Sequence, residues 1–375
     1  MKRFFFVVLA FWLTVTSGFS QENSEDTYYS NGKQKYEDKR YEESLQDFIE
    51  CTRINPKNAN AHFYVGLASY QIKKNKEAIA AYDKTLEINP LYANAYYNRG
   101  LAYYELINDE KALDDFLKVL EFTPDDDEAL YYAGLCYFNL KNYKSAIEKL
   151  SKYTESDASK YNAFSYLGLA YYSLGNYDGA VGPFTKVIAL KSDASAYYNR
   201  GLSHYFRKDY NAAYRDFVKV NEIAASESDA DALYYQSVCA YFMKNQDECI
   251  SGMKKVIALN KNVENAWFYL GMAKYEKGEY NGAVEAYTSL LTLEKNYTTG
   301  YYNRGLAYYQ LGKYAEAVTD FDMVIAGNPD DVEALYYRGR SKYNINDQAG
   351  ACADWKAAQS KGYSKAESLI SGYCK

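Results

Sequence analysis

The chain has 375 residues, 48% hydrophobic and 17% aromatic, with 43 Lys and Arg against 49 Asp and Glu and a net charge of −6. That is a globular composition, not a disordered one. The acidic balance offers neither the basic stripe of a nucleic-acid binder nor a Lys/Arg cluster for an anionic membrane surface.

Residues 1–20 read as a secretory signal peptide. Lys2 and Arg3 form a positive start, and the apolar run Phe4–Val15 is too short to span a membrane. Gly18 and Ser20 are small residues before a cut at Gln21, and no Cys follows the cut to take a lipid anchor. An uncleaved anchor is the competing reading. Residues 21–24 are a short linker, and no membrane insertion is expected after cleavage.

From Glu25 the chain steps by about 34 residues. The hexapeptide Tyr-Tyr-Asn-Arg-Gly-Leu recurs at Tyr96–Leu101, Tyr197–Leu202 and Tyr301–Leu306, spacings of 101 and 104. Ten units over residues 25–361 start near Glu25, Ala59, Ala93, Asp127, Tyr161, Ala194, Ala230, Glu264, Thr298 and Val332. Position 8 of each unit is Gly, except for Ser237; position 20 is Ala, except for Ser44 and Cys249. Small residues at both places let two antiparallel helices approach closely. Bulky rings at position 24, such as Phe48, Tyr82, Phe116 and Trp355, fill the adjacent gap. Pro56, Pro90, Pro124 and Pro329 stand at position 32, where a helix must stop.

This pattern resembles the tetratricopeptide repeat family, and Trp267, Leu270, Gly271, Ala283 and Tyr287 make the fullest match. The resemblance covers nearly all of the chain after residue 24. It implies an all-α, right-handed superhelical solenoid of about ten helical hairpins, closed by a C-terminal capping helix within 362–375. A second period of three repeats lies above the first: Asn60, Asn162 and Asn265 head one class, the Asn-Arg-Gly units another, and Ala-Leu-Tyr-Tyr units the third. Triplication of a three-repeat block explains it. Asn31 and Lys35 suit a solvated first repeat, and Leu369, Ile370 and Tyr373 suit the apolar side of an end cap. Gly179, Gly182 and Pro183 should make the second helix of repeat five kink or start late.

Chemistry is hard to find. His62 and His204 occupy packing positions, and neither a nucleophile pattern, a phosphate loop nor a metal-binding spacing occurs, so no catalytic residue, metal or cofactor is expected. The six Cys include no C-x-x-C. Cys51, Cys136 and Cys239 fit buried thiols, and a Cys239–Cys249 bond is a weaker alternative. Cys352 and Cys374 flank a turn near Lys361–Gly362 and suit a disulfide. Arg occurs at position 7 (Arg99, Arg200, Arg304, Arg338) where Asp occurs at position 23 (Asp115, Asp216, Asp320, Asp354), which suggests ion pairs between paired helices. The first repeat has Asp47 but Asn31, a half pair.

Positions 5, 9 and 12 share one face of each first helix, and in tetratricopeptide proteins that face lines the concave surface. Here it carries Tyr97, Leu101 and Tyr104; Tyr131, Leu135 and Phe138; and Tyr172, Tyr198 and Tyr205. It continues with Tyr234, Tyr241, Phe268, Tyr275, Tyr302 and Tyr309. With 45 Tyr in the chain, the expected groove is a tyrosine trough with an apolar floor. The Lys and Asn clamp by which some family members grip a peptide C-terminus is not carried over. The reading is a non-catalytic scaffold that binds a protein or peptide partner, exported to the periplasm or cell envelope of a bacterium, or secreted. Glycan or peptidoglycan recognition by the same rings is the alternative.

Overall fold

The computed structural model describes residues 24–155, 157, 159–224 and 230–374. The signal peptide read at 1–20 and the linker residues 21–23 lie outside the described residues. Among the described residues there are 21 α-helices and no strand. The chain divides between Lys186 and Val187, inside the tenth helix, into two compact units.

The first unit holds α1 (Glu25–Glu37), α2 (Tyr41–Ile54), α3 (Ala59–Gln71), α4 (Asn75–Ile88), α5 (Ala93–Glu105), α6 (Asp109–Phe122), α7 (Asp127–Asn139), α8 (Tyr143–Glu155), α9 (Tyr161–Ser173) and most of α10 (Tyr177–Leu190). The second holds α11 (Ala194–Phe206), α12 (Tyr210–Ala224), α13 (Ala230–Phe242), α14 (Gln246–Leu259), α15 (Glu264–Glu276), α16 (Tyr280–Leu293), α17 (Thr298–Gln310), α18 (Tyr314–Gly327), α19 (Val332–Asn344), α20 (Gln348–Ser360) and α21 (Ala366–Tyr373). Within each unit, odd- and even-numbered helices pair, and odd-numbered helices also touch one another, as α3 touches α5 and α15 touches α17.

The helix ends follow from local chemistry. Asn58, Asp126 and Asp331 cap α3, α7 and α19 by accepting from the amides of Ala61, Ala129 and Ala334 at 2.9 Å each. Each first helix stops where position 15 turns left-handed. In α5 the turn is made by Ile107 at φ 58°, and the amide of Asn108 donates back to the Tyr103 carbonyl at 3.0 Å.

The glycine at position 8 is a seat for a ring. A Cβ on Gly66 would lie 2.4 Å from the Tyr82 ring, and one on Gly271 would lie 2.5 Å from Tyr287. Repeat seven, with Ser237 at that place, moves the gap across the pair: a Cβ on Gly252 of α14 would meet the Ser237 hydroxyl at 1.9 Å. Leu150 and Met253 fill the ring position of repeats four and seven, both fully buried.

Two expectations need correction. α10 does not start late: it begins at Tyr177, in register with the other second helices. Pro183 removes a bond to, and crowds, the carbonyl of Gly179, a residue with backbone latitude to yield. Ala180 and Phe184 accordingly remain buried. The half pair of repeat one is completed by Lys35, whose Nζ lies 2.6 Å from Asp47. At the far end Leu369 and Ile370 of α21 pack beside Trp355 and Ala358, and a disulfide joins Cys352 to Cys374.

Candidate functional site: an aromatic face on the first helices

At 100° per residue, positions 2, 5, 6, 9, 12 and 13 of a first helix fall within an arc of about 120°. In the first unit tyrosines of this face close over a buried phenylalanine of a second helix in a repeated quartet. Tyr132 of α7 stacks on Phe116 of α6 at 5.3 Å, and Tyr97 and Tyr104 of α5 meet its edge at 6.4 and 5.5 Å. Tyr29, Tyr36, Phe48 and Tyr64 repeat the arrangement, with Tyr64 stacked on Phe48 at 4.8 Å. The second unit has two further copies. Tyr235 sits on Phe217 at 5.5 Å beside Tyr198 and Tyr205, and Tyr337 sits on Phe321 at 6.1 Å beside Tyr309.

Each quartet binds one helix pair to the next. The position 6 tyrosines at their centre were not among the residues singled out from sequence. Their signal was present, since Tyr132, Tyr235 and Tyr337 are the second Tyr of the Ala-Leu-Tyr-Tyr units. Tyr97, Tyr104, Tyr198, Tyr205, Tyr302 and Tyr309 remain half-buried, neither core nor free. Leu135 and Tyr241 are buried, while Leu101, Phe138, Tyr172, Phe268 and Tyr275 are partly open. Tyr131 and Tyr234 lie against the central rings at 5.3 and 5.2 Å. Burial pushes the hydroxyls of Tyr104 and Tyr131 up to about 12 and raises those of Tyr97, Tyr205 and Tyr234 further.

The Arg–Asp pairs lie on another side of the helices. Arg99 donates from Nε and Nη2 to Asp115 at 2.8 and 2.7 Å, and Arg200 and Arg304 grip Asp216 and Asp320 in the same way. The four carboxylates are almost wholly buried. A third nitrogen reaches back to the preceding helix pair: Arg99 to Asp83 at 2.5 Å, and Arg304 to the Thr288 hydroxyl at 3.1 Å.

Other reactive groups are quiet. Cys51, Cys136, Cys239 and Cys249 are free and buried, and burial raises each thiol, that of Cys51 to about 11. His204 is shifted down, by burial first. Among the described residues no group of three or more His, Cys, Asp or Glu is placed to hold a metal ion, and no helix is long and apolar enough to cross a membrane.

Helix pairs, glycine seats and inter-repeat rings define a helical-hairpin repeat protein. The chain carries tetratricopeptide repeats, and proteins built from such repeats typically mediate protein–protein interaction. The family model described as TPR repeat matches residues 66–106 and 271–312, and the one described as Tetratricopeptide repeat matches 299–331. A model described as anaphase-promoting complex, cyclosome, subunit 3 matches 108–187. Similar solved structures include a tetratricopeptide repeat protein from Parabacteroides merdae, 22% identical over 66% of this chain and 98% of that one, with a TM-score of 0.44. YrrB, described as a TPR protein with an unusual peptide-binding site, is 21% identical over 51% of this chain and 97% of its own, with a TM-score of 0.45. The Naa15/Naa10 assembly bound to HypK-THB is 14% identical over 91% of this chain and 64% of that one, with a TM-score of 0.49. No curated protein sequence matches the chain.

Proposed function

We propose that the chain is a non-catalytic scaffold of a bacterial cell envelope that binds an extended peptide or a helix of a partner protein on its tyrosine face. One observation carries the reading: the tyrosines of quartet after quartet stay half-buried on the same face of the first helices. Tyrosine supplies contact area at low entropic cost and keeps a polar tip for the partner's backbone. Interfaces concentrate their affinity in a few such rings.

Peptide-array binding by the full chain tests it. Replacing Tyr104 and Tyr205 by Ala should weaken capture well beyond the effect on melting temperature. Arg200→Ala should do the reverse. Retention on insoluble peptidoglycan in preference to every peptide would replace the reading with glycan recognition. Export is tested by the intact mass of protein recovered from the envelope, which should correspond to a chain beginning at Gln21.

A further inference from the structure

The charge on the tyrosine face is one-sided, and the few cations it carries sit on rings. Between the end repeats the six face positions hold no Lys or Arg, but they include Glu105, Glu128 and Glu276. Lys33 and Arg340, both at position 9 of an end repeat, are the exceptions. The Lys33 ammonium lies 6.0 Å from the Tyr64 ring centre. The Arg340 guanidinium lies 5.0 Å from Tyr309 and 5.8 Å from Tyr336. Arg340 thus rests between the position 12 ring of one repeat and the position 5 ring of the next.

The same ring pair recurs as Tyr104 with Tyr131 in the first unit and Tyr205 with Tyr234 in the second. There position 9 is Leu135 or Val238, both buried, in place of the arginine. Negative charge bears on the first pair. Glu128 lines a cleft with Tyr131 and Tyr153, and Lys160, also in that cleft, is held by Asp127 at 2.9 Å with its ammonium over Tyr153 at 3.6 Å. Burial, then Glu128 and Glu105, raise the neighbouring Tyr132 hydroxyl. Lys73 and Lys244, at the turns beyond the face, lie 4.0 and 3.5 Å from Glu105 and Glu276. No such lysine stands against Glu128 among the described residues.

We propose, resting on the binding role of the tyrosine face, that its partner is basic: an extended polypeptide segment whose Lys or Arg side chain occupies a ring pair of one unit, Tyr104/Tyr131 in the first or Tyr205/Tyr234 in the second. A cation over a ring gains from the ring quadrupole, and nearby carboxylates add to the attraction.

Fluorescence anisotropy of the full chain tests this with a short acetylated and amidated peptide of alternating Arg and Ala, and with the same peptide carrying citrulline for Arg. The Arg peptide should bind about tenfold tighter, since citrulline keeps the shape and loses the charge. Glu128→Gln should weaken the Arg peptide about threefold, while Asp114→Asn, an equal charge change at an exposed site of α6, should leave it unaltered. Equal losses from the two would assign the attraction to net charge and overturn the proposal. Equal binding of both peptides, abolished by Tyr104→Leu with Tyr205→Leu, would keep the face as a binding surface and overturn its basic preference. Binding of neither peptide by a chain with a native circular-dichroism melt would overturn the proposal; recognition of other peptides on the array would still uphold the face as a binding surface.

Discussion

Arg338 grips Asp354 through two parallel hydrogen bonds, 2.9 Å from Nε and 2.6 Å from Nη2, while its third nitrogen reaches Asp322 of the preceding helix pair at 2.7 Å. The planar guanidinium fork fits both tasks at once, which a lysine could not do. One residue therefore fastens a helix to its partner and the hairpin to its neighbour.

Breaking such a clip should be costly. Arg304→Ala leaves Asp320, 2% exposed, buried without its counter-charge. The expected loss is about 3 kcal/mol or more, and replacing both residues by Leu should recover most of it. Urea midpoints of the single and double variants at pH 7 measure this. A single variant within 1 kcal/mol of the parent (about the worth of an exposed pair) would deny the pair its buried character.

Ile107 carries strain that its sisters avoid. It is β-branched, 86% exposed and held at φ 58°, where the equivalent residues are Lys, Gly or Asn. Ile107→Asn should raise stability by about 1 kcal/mol, because the left-handed backbone is kept and the branched side chain is removed. Lys141→Asn at the matching turn should gain less. Thermal melts of the two variants make the comparison.

The half-buried phenols predict alkaline unfolding. Tyr29, Tyr104 and Tyr131 are pushed from an ordinary 10.0 up to about 12, mainly by burial. With the folded value above the unfolded one, their contribution is complete below pH 10 and is lost as the pH rises through about 12. Helix loss by circular dichroism and tyrosinate absorbance should rise together across that window. Ionisation of all tyrosines near pH 10 with helix intact would contradict it.

The Cys352–Cys374 bond closes a loop of 22 residues over the end cap. Removing it should cost about 3 kcal/mol locally. Reductant should expose two thiols to alkylation in the native protein, leaving the four buried ones protected, and should release α21 first. Hydrogen exchange over Ala366–Tyr373 that is indifferent to reductant would show that packing alone holds the cap.

The hairpin was legible because its parts recur at fixed offsets. Gly66 and Tyr82, or Gly100 and Phe116, sit sixteen residues apart in sequence and touch in space, so each repeat repeats the same hint. The Arg–Asp pairs were legible for the same reason, as joint presence at two positions. Contacts between repeats were harder to see. Tyr132 belongs with Phe116 and Tyr104 of the repeat before it, and Arg99 with Asp83, so reading one repeat at a time separates the partners. Of the kink or late start expected of α10, the late start did not occur: the helix begins at Tyr177 and carries Pro183 inside it.

The exchange of Ser237 and Gly252 across repeat seven bears on how such a chain can be recombined. A second helix taken from a sister repeat would bring a Cβ where Ser237 leaves no room, and α14 set against a sister's glycine would leave a hole. Single helices are therefore not interchangeable parts here. The smallest heritable module is the whole hairpin, and a consensus library should shuffle hairpins intact.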